Sequence, residues 1–281
     1  MKLNFIKTNP TENMTVFISD PLPRQKYIEI ANHIMDYNHI HAEQVGFIEN
    51  ISSQNSQACV RLHMMGGEFC VNATRSLAAI LVQRQHCKIQ KKEEKYIVPL
   101  EVSGLDELVF CEVELNNQKN DMNSFISTAK ISSPQNIEDF SINYNNTTIK
   151  GKLVEFPGIT HLVVNDNKID SKKNFFMNLK KNFEDLKFEA LGVMFYDEER
   201  SYMQPLVYVK STESLIWERG CGSGTAAVGA VHSYNSQKNI ELIVNQPGGS
   251  LEVITQWCEN SVDNIYIKGV VDIVAEGILY I

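Results

Sequence analysis

Basic residues are in short supply. Lysine and arginine number 26 against 34 acidic residues, a formal net charge of −8 over 281 residues. Nucleic acid and anionic membrane surfaces both require a basic footprint, so neither is an expected partner. Long apolar runs are missing as well. The longest, Leu77 to Val82, is far below the roughly 20 residues of a membrane-spanning helix. Residues 1–14 have no apolar stretch ahead of their polar residues, so no secretory leader is expected. The six cysteines, at 59, 70, 87, 111, 221 and 258, include no CxxC pair. That excludes a disulfide scaffold and points to reduced thiols in the cytoplasm. Charged residues make up only 21%, too few for a disordered chain, and 43% hydrophobic residues supply ample core. The length fits one large or two ordinary domains.

What is present reads mainly as short strands. Residues 14–19, 44–49, 58–63, 153–156, 162–164, 192–196, 206–210, 241–244 and 250–255 carry strand patterns. Helical spacing is found over 24–37, 72–84, 173–186 and 225–234. The Asn-rich stretch 116–146 is the expected irregular segment and domain boundary. Three landmarks recur in one order. Pro10, Gly46 and Cys70 are answered by Pro157, Gly192 and Cys221, each cysteine opening a helix. Two related halves follow, each with one cysteine at a helix N-terminus.

Such a position suits chemistry. A helix N-terminus offers unpaired N–H groups and partial positive charge, which lower a thiol's pKa and bind a carboxylate. Two such cysteines facing one cleft could invert an α-carbon. One thiolate removes the α-proton, and the other thiol delivers a proton to the opposite face. The developing carbanion is stabilised through the carboxylate by helix dipoles, and no lysine sits in either cysteine motif to form a Schiff base. Cys59, Cys87, Cys111 and Cys258 lack a matched partner and read as buried or incidental thiols.

Other readings compete. His39, His41 and Glu43 alternate, and on a strand they would share a face as metal ligands. No third ligand cluster accompanies them, and no metal site is expected. A hydrolase pairing His161 with Cys221 or Cys70 would leave the second cysteine unexplained. A binding module would need neither cysteine. A phosphate loop at residues 221–225 lacks the spacing and the lysine.

The segments Gly67-Glu68-Phe69-Cys70-Val71-Asn72-Ala73-Thr74 and Arg219-Gly220-Cys221-Gly222-Ser223-Gly224-Thr225 resemble the two cysteine motifs of the diaminopimelate epimerase superfamily. Asn13-Met14-Thr15, Pro157-Gly158-Ile159-Thr160-His161 and Pro247-Gly248-Gly249 are similar to its other signatures. Within it, residues 43–49, 204–208 and 214–225 are most similar to the histidine racemases of opine-type metallophore biosynthesis.

The resemblance implies an α/β (α+β) fold of two pseudo-symmetric halves. Each is a mainly antiparallel sheet wrapped around a helix, with the site in the cleft between them. The expected halves are 1–125, joined by a last strand at 272–281, and 126–271. It further implies a cofactor-independent isomerase acting on a small amino acid. L-histidine is the first choice and diaminopimelate the alternative, with D-histidine feeding metallophore synthesis. A homodimer is compatible with this. Cys70 and Cys221 are the expected acid and base. Asn72 and the N–H groups of residues 72–74 and 222–225, including Gly222 and Ser223, form the expected carboxylate cradle. Thr225 and Asn13 are expected on the ammonium or carboxylate. Val71 replaces the usual glycine, keeps its N–H and narrows the cleft. Glu218 lies almost against Cys221 without the longer segment of true diaminopimelate epimerases. Glu43 stands where the second half is expected to have Ala190 or Leu191, so it breaks the symmetry and suits a side chain bearing N–H or positive charge.

Overall fold

Alternating apolar residues produce strands through most of the chain, and among the described residues four α-helices interrupt them. The computed structural model describes residues 1–281 apart from 54, 55, 120, 183–187, 189, 211 and 212. The chain forms two units, Met1–Lys130 with Ile267–Ile281, and Ile131–Tyr266.

The first unit contains β1 (Lys2–Asn9), β2 (Thr15–Ile18), α1 (Tyr27–Met35), β3 (Gln44–Glu49), β4 (Arg61–Met64), α2 (Val71–Gln83), β5 (Gln90–Lys92), β6 (Lys95–Val102), β7 (Val109–Leu115) and β8 (Ser124–Ile131, ending one residue into the second unit). Strand β1 pairs antiparallel with β2. The chain crosses through α1, and β3 returns parallel to β2. Strand β4 is antiparallel to β3, α2 makes the next crossover, and β6 lies parallel to β4 and antiparallel to β7.

The second unit repeats this series with β9 (Asn136–Tyr144), β10 (Thr147–Phe156), β11 (Ile159–Asn165), α3 (Lys172–Asn182), β12 (Ala190–Asp197), β13 (Tyr202–Val209), β14 (Ser214–Trp217), α4 (Gly222–Ser236), β15 (Ile240–Gln246) and β16 (Gly249–Cys258). Strands β10 and β11 are antiparallel, β11 and β12 parallel around α3, and β12 and β13 antiparallel. Strand β15 then meets β13 in parallel after α4 and pairs antiparallel with β16. Strand β17 (Ser261–Tyr280) begins in the second unit and continues into the first.

The cysteine-bearing helices are the innermost elements of their units. Every residue of α2 from Val71 to Val82 is buried, and α4 is buried from Gly224 to Ala230. A helix enclosed on all sides needs small or apolar residues around its whole circumference. Ala73, Ala78, Ala79, Ala226, Ala227 and Ala230 supply them. Helices α1 and α3 each cover a separate core. One centres on Ile30, Ile34 and Phe47, the other on Phe175, Phe176 and Phe195. Among the described residues no helix is long and apolar enough to cross a membrane.

Two expectations need correction. The Asn-rich stretch 116–146 is largely ordered sheet, β8 and β9. Phe140, Ile142 and Tyr144 alternate along β9 and face the α3 core. Frequent asparagines masked that period. The expected cut between residues 125 and 126 would also divide β8, which pairs with β7 through Phe125 and Ala129. The first unit therefore runs to Lys130 and regains the chain at Ile267, not at residue 272.

Candidate active site

Each cysteine caps its helix in the same way. Cys70, at φ −128° and ψ 110°, precedes α2, and its Sγ accepts the Ala73 N–H at 3.4 Å. Cys221, at φ −116° and ψ 110°, precedes α4, and its Sγ accepts the Gly224 N–H at 3.2 Å. One residue further on, the hydroxyls of Thr74 and Thr225 donate to the cysteine carbonyls, each at 2.7 Å. Extended backbone at the cap, with the side-chain acceptor turned onto the third N–H, is the ordinary N-cap geometry. Here sulfur replaces the usual oxygen, so the capping atom is also a titratable one. Thr225 is fully buried and also accepts from Gln246 Nε2 at 2.9 Å. Gln246 Oε1 accepts the Cys221 N–H at 2.7 Å, so β15 braces the cap.

The groups beyond the caps differ. In the first unit, Cys70 is half-buried and its thiol donates to Gln44 Oε1 at 2.8 Å. Buried Asn72 donates to Asn13 Oδ1 at 3.2 Å, and Asn13 donates to Glu43 Oε2 at 2.8 Å. Glu43 itself is half-buried just ahead of β3. Asn13 is delivered by a tight loop in which Thr11 and Glu12 hold left-handed φ values of 60° and 56°. Two consecutive non-glycine residues there carry backbone strain.

In the second unit, Cys221 Sγ lies 3.6 Å from Ser223 Oγ, which is 3.0 Å from Nε2 of fully buried His161. Burial, then the Glu218 carboxylate, push the Cys221 thiol well above its usual value; Ser223 and the Gly224 N–H pull the other way. The sequence expectation of a lowered pKa at a helix N-terminus is therefore overturned for Cys221. One N–H and a helix dipole do not offset desolvation plus a neighbouring negative charge.

His161 occupies the position of Phe17. Each stands beside a repeat glycine across a parallel pair, Phe17 with Gly46 and His161 with Gly192. A Cβ on residue 192 would sit 2.2 Å from His161 Nδ1, so only glycine admits the ring. Gly224 is close-packed as well: a Cβ there would meet Met194 Sδ at 2.2 Å, where the flexible methionine must shift, and Cys221 Sγ at 3.1 Å. Burial drops the His161 pKa from the usual 6.5 to about 3. The sign of the effect on stability follows. As pH falls through 6.5 the unfolded chain binds a proton that the native state refuses until about 3, so the native state loses stability. His161→Gln removes this acid limb. The difference in urea midpoint between parent and variant should shrink between pH 7 and pH 4; a constant difference would mean that His161 titrates normally.

The described structure thus gathers Asn13, Glu43, Asn72 and Cys70 in the first unit, with buried Val71 opening α2. It gathers Glu218, Cys221, Gly222, Ser223 and Thr225 in the second. Two expectations change. Residues 39–43 form no strand, and His41 has φ 53°, so His39, His41 and Glu43 do not alternate on one face. Among the described residues no three His, Cys, Asp or Glu side chains cluster as metal ligands. The strand register also aligns Ala190 with Gln44, because Gly46 and Gly192 correspond. The counterpart of Glu43 is then Glu189, which lies outside the described residues, and the supposed apolar partner is withdrawn. Asymmetries that the register does show are Gln44 against Ala190 and Phe17 against His161.

Gln44, Gln246 and Arg75 carry no role in the sequence patterns, and His161 stands there only within a family signature and as a candidate hydrolase partner. A signal existed for Arg75, which is the one charge in an otherwise uncharged helix.

Residues 2–280 match the family model described as "Histidine racemase CntK N-terminal domain". A histidine racemase from Fusobacterium nucleatum (strain ATCC 23726) is 38% identical over 283 residues, covering 99% of this chain and 97% of the relative. One from Staphylococcus aureus (strain Mu50) is 31% identical over 284 residues, covering 99% and 98%. Among solved structures, a hydroxyproline epimerase from Agrobacterium vitis is similar with a TM-score of 0.70 at 12% identity, over 99% of this chain and 92% of that one. A predicted epimerase from Pseudomonas aeruginosa gives 0.66 at 9% identity, over 99% of both. At such identities the solved structures establish a shared epimerase fold alone.

Proposed function

The chain belongs to the histidine racemase family, and from that premise we propose that it interconverts L- and D-histidine without a cofactor, with Cys70 and Cys221 as the acid–base pair. The observation that carries this is the duplicated cysteine cap, with the same N–H and the same threonine hydroxyl at each end. A structural cap has no need of sulfur, since serine or asparagine serves better.

One thiolate takes the α-proton as its C–H bond breaks and an S–H bond forms. The other thiol delivers its proton to the opposite face and becomes the thiolate, so the roles are exchanged for the return reaction. Cys221, held protonated by burial and by Glu218, starts as the proton donor. The cap bonds use the N–H groups of Ala73, Thr74, Gly224 and Thr225. We place the carboxylate cradle on the N–H groups of Gly222 and Ser223, joined by that of Val71, at the positive helix ends. Asn13 and Asn72 act on the substrate through Glu43, which takes the imidazole N–H. Reduced thiols fit a reducing compartment such as the cytoplasm. The use of D-histidine in metallophore synthesis rests on the sequence resemblance.

Incubation with L-histidine in deuterated water, in parallel with LL-diaminopimelate, tests the assignment. The expected result is loss of the histidine α-proton signal together with D-histidine by chiral chromatography, and neither change for diaminopimelate. An inert histidine arm would overturn it. Activity should also survive EDTA and hydroxylamine. Loss on chelation, restored by a divalent metal, would replace the two-cysteine reading with a metal-assisted one.

A further inference from the structure

Arg75 is fully buried in α2, five positions beyond Cys70. Its Nη1 donates to the carbonyls of Ser127 at 3.3 Å and Gly269 at 3.0 Å, and its Nη2 donates to Asn72 Oδ1 at 2.9 Å. All three acceptors are amide oxygens. Burial brings the guanidinium down to about 10, opposed by the thiols of Cys111 and Cys70, so it remains charged at neutral pH.

A guanidinium can only donate. It therefore fixes which end of the Asn72 amide faces it. The oxygen takes the Arg75 bond, and the NH2 must turn to Asn13 Oδ1. That settles Asn13 in turn, whose NH2 is left for Glu43 Oε2. Glu43, which when ionised can only accept, requires the same direction from the other end, so the two charged ends of the chain agree. The chain Arg75–Asn72–Asn13–Glu43 thus has one direction, with donors pointing from the buried cation toward the carboxylate.

We infer that Arg75 is a positioning residue that sets the direction of this amide chain, so that Glu43 always meets an N–H and is held as an ionised acceptor for the substrate side chain. The last clause rests on the reading of Glu43 as partner of the histidine ring. The chain also ties that acceptor to the helix whose cap is Cys70, so the groups holding the side chain and the α-carbon share one rigid support. Hydrogen bonding to the charged form lowers a carboxyl pKa, and loss of orientation raises it.

The test is the titration of the Glu43 carboxyl carbon by NMR in protein labelled at glutamate, with the resonance assigned by its absence in Glu43→Gln. Asn72→Ala leaves Asn13 in place and removes the amide through which Arg75 acts. Arg75→Lys keeps the charge but not the planar fork. The Glu43 midpoint should rise by about half a pH unit or more in both. If Arg75→Lys does not fold, Asn72→Ala decides alone, and an unchanged Glu43 midpoint there overturns the inference. In kinetics, either substitution should lower kcat/KM for L-histidine about tenfold. The loss should nearly vanish in a Glu43→Ala background, because both changes act through one group. A purely structural role for Arg75 would lower activity equally in both backgrounds. Should the parent fail to racemise histidine, the proposed function falls, while the titration still decides whether the chain orients Glu43.

Discussion

Cys70→Ser and Cys221→Ser should each slow conversion of L- to D-histidine by roughly a thousandfold or more, the scale of a lost general acid or base. A serine hydroxyl does not ionise near neutral pH, so neither the proton removal nor its return can use that position. The fold should be indifferent. Serine is a preferred N-cap, and its oxygen can accept the Ala73 or Gly224 N–H that sulfur accepts now. Thermal midpoints should therefore stay level or rise while racemisation disappears, which separates chemistry from stability. The two variants should also differ from each other. Each keeps one thiol and can still exchange the α-hydrogen of one enantiomer with solvent. Deuterium uptake measured separately from L- and D-histidine should give opposite patterns for the two proteins. Parental racemisation by either variant would end the two-cysteine mechanism.

Glu43→Ala should lower kcat/KM for L-histidine by about a hundredfold, from a charge-assisted hydrogen bond of roughly 1.5–3 kcal/mol at about 1.4 kcal/mol per factor of ten. The loss has two parts. The imidazole N–H gives up its acceptor, and the Asn13 NH2 that now donates to Glu43 at 2.8 Å is left without that partner. Glu43→Gln should fall between parent and alanine. The Asn13 donor holds the glutamine oxygen, so the outward group becomes an NH2 facing the ring. The ring must then present its unprotonated nitrogen, and about tenfold is the expected cost. Proton exchange on small amino acids, where measurable, should change little. Equal turnover of histidine by all three proteins would make Glu43 a strand-end residue of no consequence to substrate choice.

Legibility in the sequence followed local periodicity. Gly46, Gly192, Cys70 and Cys221 were readable because the repeat puts glycine opposite a ring and cysteine at a cap in both units. Helix starts were off by a few residues: α4 opens at Gly222, whereas apolar spacing becomes visible only at Thr225. Strand β9 was hidden by its asparagines. The roles of Gln44, Arg75 and His161 depend on partners far along the chain. Arg75 reaches Ser127 and Gly269, and His161 reaches Ser223. No spacing rule connects such residues. The raised Cys221 pKa was equally illegible, since it is set by how deeply the helix end is enclosed.

Residues 267–281 complete the first unit, yet the ribosome makes them only after the whole of the second. Until then β1 lacks the strand that pairs with it from Lys2 to Asn9, and Arg75 lacks the Gly269 carbonyl. At translation rates of several residues per second, that interval lasts on the order of ten seconds. The second unit is continuous in sequence and can fold during it. The first waits with an open sheet edge and without one acceptor of its buried cation, a state that invites aggregation and chaperone capture. Substitutions that weaken the β1–β17 pairing should therefore register first as a lower yield of soluble protein, while the molecules that do complete the fold keep their specific activity.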